Sequence, residues 1–242
     1  MNSNDPHFMP LGDSALVIQW GNIIDRSLNE VVVAVADSLK QQPFQGMIDI
    51  VPAYSSLTII YDPVSINSFH GKQIAVFEFI QQYMLQLINK LDNTFKEQTS
   101  VIEIPVCYDL ALYNDLEMMQ LQLKLSVADI IKYHTDNEYY VFMQGFLPGF
   151  AYMGEVDKRI VMPRKNKPVQ VIAGAVGIAG MQTGIYPVDS PGGWNILGFT
   201  PLNMFNATAR NPCRLMAGDT VIFKSIQLPQ YHSMKENQTA WD

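Results

Sequence analysis

The first 91 residues carry two hydrophobic patterns, one typical of strands and one typical of helices. Short β-rich runs that end at Gly or Pro predict strands, and two longer runs with apolar residues every three or four positions predict amphipathic helices. Asp25 precedes the first helical run and is suited to cap it. The predicted elements are strands at 13–21, 47–51 and 57–61 and helices at 25–39 and 72–91. Together they predict a small α+β domain with its helices on one face of the sheet.

A polar stretch at residues 92–100 interrupts the apolar pattern and is the best candidate for a linker. We therefore predict two domains, 1–92 and 93–242. The next predicted elements are a strand at 101–109, a short helix at 115–123, a helix from Ser126 to near His134 and a strand at 138–144. Asp129 stands three residues after Ser126, which is the spacing of a capping box.

The remainder of the chain changes character. From residue 145 onward, Gly and Pro recur every few residues between short apolar runs, and residues 218–226 predict a last strand. Short strands with such frequent turn signals favour a closed or nearly closed β-barrel. The predicted fold is an α+β N-terminal domain followed by a mainly-β barrel domain.

The composition indicates a chain that buries a large core, and its negative charge does not favour binding to nucleic acid. Of the 242 residues, 48% are hydrophobic and 16% are charged, and the net charge is −7. The first residues show no basic segment followed by an apolar one, and no apolar run reaches the roughly 18 residues of a membrane helix. Cys107 and Cys213 stand far apart in the sequence, which is typical of free thiols in a reducing compartment. A single disulfide between them is the alternative interpretation. We expect a cytoplasmic protein that binds neither nucleic acid nor membrane.

The histidines offer one candidate for chemistry. No His or Cys pair has the spacing of zinc ligands, so we expect no metal. His134 follows the capped helix and is a candidate proton carrier or substrate contact. The alternative is a histidine that bonds a carbonyl in the last turn of its helix.

Residues 145–154 alternate glycine with large apolar side chains. The glycines and Pro148 would fix a tight turn, and Phe146, Phe150 and Tyr152 would wall a pocket. An apolar loop that plugs one end of the barrel is the alternative interpretation.

Residues 163–168 form the one basic cluster in an acidic chain. Arg164 is the residue best suited to bind a carboxylate or a phosphate, because a guanidinium matches the geometry of both. For Lys165 and Lys167 a solvated turn is at least as good an interpretation.

Residues 177–201 hold six glycines, three prolines and a single charged side chain, Asp189. Neutral polar side chains in this segment are suited to orient a small polar ligand, and the amides of a Gly-Gly turn are suited to hold an anion. A barrel rim shaped by glycines is the alternative. The candidate residues are Gln182, Thr183, Tyr186, Gly192 and Gly193.

Four segments of the chain match one family. They are PLGDSALVIQWG at 10–21, GFLPGFAYMG at 145–154 with the later PR at 163–164, AGAVGIAGMQTGIYPVDSPGGWNILGFTPLNMF at 173–205, and GDTVIF at 218–223. In these segments the chain resembles the family of 5-oxoprolinase B subunits, also called the Kip inhibitor or allophanate hydrolase subunit 1 family. The long run from Gln182 to Trp194 makes this resemblance specific.

The resemblance implies a fold and a function. The implied fold has a small α+β domain and a cyclophilin-like β-barrel. The implied function is that of one component of an ATP-dependent 5-oxoprolinase. This enzyme opens 5-oxo-L-proline to L-glutamate with the help of a homologous C subunit and a separate A subunit, and ATP is its co-substrate. Two other functions within the family stay open, namely a Kip-type inhibitor of a sensor histidine kinase and half of a carboxyltransferase of the urea amidolyase type.

On this interpretation the candidate residues take roles. The catalytic candidates are His134, Arg164, Gln182 and Tyr186, and the substrate-binding candidates are Phe146, Phe150, Thr183, Gly192, Gly193 and Trp194. Val169 and Ile172 stand where the family usually has a second arginine and a V-P-A-G sequence, and Phe199 stands where it commonly has an arginine. Arg164 is therefore the arginine expected to contact an anion.

Overall fold

The computed structural model describes residues 5–70, 75–91, 100–112 and 114–237. The chain forms two compact units, Met1–Gln98 and Thr99–Asp242. The boundary predicted after residue 92 falls in the segment 92–99, which lies outside the described residues. In the described part of the chain, no helix is long and apolar enough to cross a membrane.

The N-terminal unit is a four-stranded antiparallel sheet packed against helices. Its strands run in the order β1-β2-β4-β3. The strands are β1 (His7–Pro10), β2 (Ala15–Gln19), β3 (Met47–Pro52) and β4 (Ser56–Tyr61), and the helices are α1 (Arg26–Gln41), α2 (Pro63–His70) and α3 (Val76–Leu91). The three predicted strands and both predicted helices are present, and the start of the last helix at residues 72–74 lies outside the described residues.

Local chemistry explains how α1 begins and where it packs. The Asp25 carboxylate accepts the Leu28 backbone N–H at 3.0 Å, as the sequence predicts for a cap. One face of α1 then buries apolar side chains, and Val32 and Leu39 of this face share one core cluster with Leu16 and Leu57 of the sheet. Burial of this face contributes to the stability of the unit.

Strand β1 and helix α2 are not predicted from the sequence. The pattern favours Pro63 as the residue that ends β4. In the structure it is the first residue of α2, where a proline is tolerated because the first N–H of a helix has no partner within the helix. Asp62 accepts the Val64 N–H at 2.9 Å and so helps α2 to begin.

The C-terminal unit is a closed seven-stranded barrel, which confirms the predicted fold class. Its strands run in the order β10-β7-β6-β13-β5-β12-β9, and β9 closes on β10. The barrel strands are β5 (Val101–Cys107), β6 (Glu138–Gln144), β7 (Ala151–Gly154), β9 (Ala175–Ala179), β10 (Gln182–Ile185), β12 (Asn195–Phe199) and β13 (Thr220–Ile226). Strands β8 (Val169–Val171) and β11 (Ser190–Gly192) form a separate two-stranded ribbon.

Three α-helices and one 3₁₀ turn accompany the barrel. They are α4 (Leu116–Leu123), α5 (Val127–Thr135), α6 (Leu228–Glu236) and the turn Lys158–Ile160. The predicted cap of α5 is present, because Ser126 Oγ accepts the Asp129 N–H at 3.0 Å. Helix α6 is not predicted from the sequence.

The barrel strands have two apolar faces. Side chains such as Met153, Val176, Ile178 and Ile185 fill the barrel interior. Their neighbours along the same strands point outward, and on β7, β9 and β10 that outer face is covered by a second apolar cluster built around Phe150. This outer cluster contains three of the candidate residues, Phe150, Tyr186 and Trp194.

Candidate functional site

Two glycines create the surface on which the outer cluster packs. Gly177 of β9 and Gly184 of β10 are directly paired across the ladder. A Cβ on Gly184 would lie 2.8 Å from Phe150 Cζ and 3.0 Å from Trp194 Cζ3, and one on Gly177 would lie 3.4 Å from Trp194 Cβ. The Phe150 and Trp194 rings therefore rest directly on the backbone at Gly184, whereas glycine at position 177 leaves room for the Asn195 carbonyl oxygen, which would lie 3.0 Å from a Cβ there.

Phe150 is the centre of a group of edge-to-face aromatic contacts. Its ring centroid lies 4.9 Å from Tyr152, 5.3 Å from Tyr186 and 5.3 Å from Trp194. Such edge-to-face pairs contribute about 0.5–1.5 kcal/mol each beyond the area they bury. Phe150, Tyr186 and Trp194 are at most 5% exposed. They form the inner layer of the site.

Phe146 lies at the solvent edge of this group. Its ring is 5.6 Å from Phe150 and 6.4 Å from Tyr186, and the residue is 59% exposed. Its backbone has φ = +69°, a left-handed conformation that is unfavourable for a residue with a side chain. The surrounding turn maintains this conformation, since the Leu147 N–H donates to the Gly145 carbonyl and the Phe150 N–H donates to the Leu147 carbonyl.

The Tyr186 hydroxyl is fixed by the turn that follows it. The Trp194 backbone N–H donates to the hydroxyl oxygen, and a Cβ on Gly192 would lie 2.7 Å from Tyr186 Cζ. Burial raises the pKa of Tyr186, and the Trp194 amide and the Arg164 charge oppose part of that rise. The phenol is therefore neutral and able to donate a hydrogen bond at neutral pH.

Arg164 brings a positive charge to the same place. Its Nε and Nη2 atoms would lie 3.7 and 3.8 Å from a Cβ on Gly193, and its charge lowers the pKa of both Tyr152 and Tyr186 against the effect of burial. The residue is exposed. Within the described ranges, its guanidinium makes no hydrogen bond or ion pair. The cation is thus open to an anionic ligand.

Lys165, the next residue along the chain, is not available to a ligand in this way. Lys165 Nζ lies 2.7 Å from Asp115 Oδ2, and both side chains are less than a fifth exposed. The solvated-turn interpretation is therefore wrong for Lys165, because its ammonium is paired in a largely buried ion pair. Lys167 is exposed, as a solvated turn implies.

His134 and Thr183 lie on the other side of the barrel wall, in its interior. Tyr108 Oη is 2.8 Å from His134 Nδ1, His134 Nε2 is 3.0 Å from Thr183 Oγ1, and Thr183 Oγ1 donates to the Gly177 carbonyl at 3.1 Å. Because the Thr183 proton is used on Gly177, Nε2 must carry the histidine proton and Nδ1 must accept from Tyr108. Both ring nitrogens bond side-chain hydroxyls, so the alternative of a bond to a carbonyl in the last turn of the helix is wrong.

The buried environment keeps this histidine neutral. His134 has no exposed surface, and its ring stacks on Phe223 with centroids 4.6 Å apart. Burial lowers its pKa from 6.5 to about 3. A catalytic role for His134 or a substrate contact for Thr183 stays a prediction, because both side chains lie on the inner face of the barrel wall and the aromatic cluster lies on its outer face.

The structure thus brings together one set of the candidate residues. On the outer face lie Arg164, Phe146, Phe150, Tyr186, Gly192, Gly193 and Trp194. Gln182 is on the same face of β10 as Gly184, because side chains alternate along a strand. Asp189 accepts the Ala173 N–H at 2.8 Å and so joins two segments that are sixteen positions apart.

Sequence reasoning misses two residues of functional interest. Asp115 has the features of an ordinary helix cap, and no local signal links it to Lys165, fifty positions away. Tyr108, which bonds His134, stands in a strand-like run with nothing to distinguish its hydroxyl.

In the described part of the chain, no group of three His, Cys, Asp or Glu side chains is arranged to hold a metal ion. A cleft of about 320 Å³ belongs to the N-terminal unit, where Ser38 of α1 and Tyr83 of α3 line it. It contains none of the candidate residues.

The sequence of this chain matches a known family. A family model described as the carboxyltransferase domain, subdomain C and D, matches residues 6–215, and the chain belongs to this family.

Two of its relatives are named as B subunits of 5-oxoprolinase. The chain is 40% identical over 228 residues to the 5-oxoprolinase B subunit of Bacillus subtilis (strain 168), and the match covers 93% of this chain and 95% of the relative. It is 30% identical over 214 residues to the 5-oxoprolinase B subunit of Escherichia coli O157:H7, covering 88% of this chain and 93% of the relative. The family resemblance seen in the sequence is confirmed.

A solved structure shows the same fold. The crystal structure of TTHA0988 superposes with a TM-score of 0.75 at 34% identity and covers 88% of this chain. This chain matches only 40% of the length of TTHA0988, so the relative contains a large additional region.

Proposed function

We propose that this chain is the B subunit of an ATP-dependent 5-oxoprolinase, which converts 5-oxo-L-proline to L-glutamate together with its A and C subunits. The observation that carries the proposal is the 40% identity to a 5-oxoprolinase B subunit along almost the whole of both chains. The site supports it with an open guanidinium beside an aromatic surface.

The chemistry of the substrate suits this surface. 5-Oxo-L-proline is a small flat lactam that carries one carboxylate. Arg164 is placed to pair with the carboxylate, since a guanidinium donates two parallel hydrogen bonds to such a group. The exposed ring of Phe146 offers an apolar face to the lactam ring. Gln182 and Tyr186 are the polar groups proposed to orient the lactam amide.

The reaction needs activation because a lactam amide is unreactive. Transfer of the γ-phosphoryl group from ATP to the lactam oxygen breaks the β–γ P–O bond and forms a new one. Water then adds to the activated carbon, and cleavage of the C–N bond releases the amine. A second water displaces phosphate, so that the products are glutamate, ADP and phosphate. We assign ATP binding to the assembled complex, since this chain has no Walker-type motif.

Each candidate residue takes a role in this scheme. Arg164 and the amides of Gly192 and Gly193 stabilise negative charge, and Phe146, Phe150 and Trp194 exclude water. Thr183 supports the strand that carries Gln182, and His134 is the proposed proton carrier. Its burial requires any proton to pass through Tyr108 or Thr183.

Reconstitution of the complex tests the proposal. This chain is purified with the A and C subunits, and ATP-dependent release of glutamate from 5-oxoproline is measured. We expect activity with all three components and none when this chain is left out. An inactive complete complex contradicts the proposal. Avidin-sensitive carboxylation, or inhibition of a histidine kinase by the chain alone, would support the alternative functions instead.

A further inference from the structure

We propose that Asp115 and Lys165 are positioning residues of the site: their ion pair holds the segment Pro163–Lys165 against β12 so that Arg164 is presented to an anionic ligand. The identification of that ligand as the carboxylate of 5-oxoproline rests on the proposed function. The positioning itself rests on the contacts of this segment.

Backbone contacts fix the segment on both sides of Arg164. The Lys165 N–H donates to the Gly193 carbonyl at 2.7 Å. On the other side, Asn195 Nδ2 donates to the Pro163 carbonyl at 2.9 Å, and Asn195 itself is only 2% exposed. Both neighbours of Arg164 are therefore tied to the turn and strand that carry Trp194.

Asp115 adds a side-chain anchor to this arrangement. Its backbone N–H donates to the Ile196 carbonyl at 2.7 Å, and its Oδ2 accepts the Ile196 N–H at 2.6 Å. The same carboxylate oxygen accepts from Lys165 Nζ at 2.7 Å. One aspartate thus joins β12 to the basic segment through three polar contacts.

Stability alone does not explain an ion pair at this place. The Lys165 and Asp115 side chains are only 19% and 18% exposed, so both charges have lost much of their hydration. A desolvated ion pair contributes little net stability and is often matched by a well-packed apolar pair. Its advantage is geometric, because it fixes where the adjoining chain runs.

The pair also leaves Arg164 as the open cation of the segment Pro163–Lys165. Asp115 neutralises Lys165, whereas Arg164 has no partner among the residues that the structure describes. Because the segment is already held in place, less conformational entropy is lost when the open guanidinium binds an anion. The arrangement therefore selects Arg164, and not Lys165, as the ligand contact.

A double-mutant cycle tests this assignment. D115N and K165M are combined with R164A, and the dissociation constant for 5-oxo-L-proline is measured by calorimetry on the complete complex. We expect D115N and K165M each to weaken binding about tenfold and to add little when R164A is already present. K165R retains the ion pair and is expected to bind within about twofold of the natural chain.

Two controls separate positioning from a general loss of structure. K224M breaks the exposed pair between Lys224 and Glu103 in the same unit and is expected to leave the affinity unchanged. The neutral amide of 5-oxoproline lacks the carboxylate, so its weaker binding is expected to be insensitive to D115N. Full additivity of D115N with R164A, or equal sensitivity of the amide, would overturn the proposal.

The same variants distinguish this proposal from the proposed function. If the complex does not turn over 5-oxoproline, inorganic phosphate is titrated onto the chain and followed by the Arg164 Nε–H resonance. Weaker phosphate binding in D115N would then support positioning although the proposed function has failed. Turnover that is unaffected by D115N and K165M would overturn positioning while the proposed function stands.

Discussion

At the scale of single residues, the candidate site divides into a covered layer and an exposed one. The rings of Phe150, Tyr186 and Trp194 pack against one another and form the buried layer of the site. Phe146 and Arg164 are exposed, so a ligand meets them first. Phe146 also combines exposure with a left-handed backbone, and residues held in such conformations are concentrated at functional sites.

Two substitutions at Phe146 test this combination. Both Phe146→Ala and Phe146→Gly remove the ring, but only glycine relieves the left-handed conformation, so F146G should be more stable than F146A by about 1 kcal/mol. Both variants should weaken 5-oxoproline binding by about tenfold through loss of the ring. Chemical denaturation and calorimetry measure the two effects. Equal stability would show that no strain is stored, and unchanged affinity in both variants would remove Phe146 from the site.

At the scale of elements, helix α5 and strand β10 are joined inside the barrel by His134. The chain of bonds from Tyr108 through His134 to Thr183 uses every donor and acceptor of the neutral imidazole. Thr183 precedes the Gly184 position on which the aromatic layer rests. The interior histidine therefore fixes the strand that carries the outer site.

The low pKa of this histidine has a consequence for stability. Below pH 6.5 the unfolded chain binds a proton at His134, whereas the folded chain does so only near its pKa of about 3. The contribution is thus fully present above pH 6.5 and is lost as the pH falls, at up to about 1.4 kcal/mol per pH unit. The free energy of unfolding, measured between about pH 7 and pH 4, should fall more steeply in the natural chain than in His134→Gln.

The activity profile of the same protein separates the two roles of His134. If His134 only positions β10, the pH–rate profiles of the natural protein and of H134Q should have the same inflections. An inflection of the rate that vanishes in this variant would favour a proton carrier. Identical pH slopes of stability in the two proteins would contradict the neutral, buried state.

Elements with a strong local pattern could be predicted from the sequence, and those without one could not. Helices α1 and α5 are predictable because each has an amphipathic face and a capping residue, Asp25 or Ser126. Helix α2 is not, because Pro63 is equally typical of the end of a strand and the start of a helix. The barrel followed from short strands and frequent turns.

The candidate site could be predicted only in part, because its layout depends on contacts between distant positions. The structure brings Phe150 of segment 145–154 into contact with Tyr186 and Trp194 of segment 177–201, and a ligand site at this contact stays a prediction. Which face of β10 each side chain occupies requires the strand register, and this register separates Thr183 from the aromatic layer. The bond between Asp115 and Lys165 has no local signature at all.

At the scale of the whole molecule, the chain is a member of the carboxyltransferase-domain family, and its relatives are named as B subunits of 5-oxoprolinase. The described candidate residues supply a cation, an aromatic surface and neutral polar groups. They include no metal-binding cluster. We propose that this set binds and orients a small anion and that other subunits complete the active site.

The most direct test of the account is the effect of Arg164→Ala on the reconstituted complex. Loss of the one open guanidinium among the described candidate residues should reduce kcat/KM for ATP-dependent glutamate release at least about a hundredfold. Because Arg164 is exposed, thermal unfolding of the isolated chain should be unchanged, and K224M should retain full activity. An R164A complex with the activity of the natural one would contradict the assignment of this surface as the substrate site.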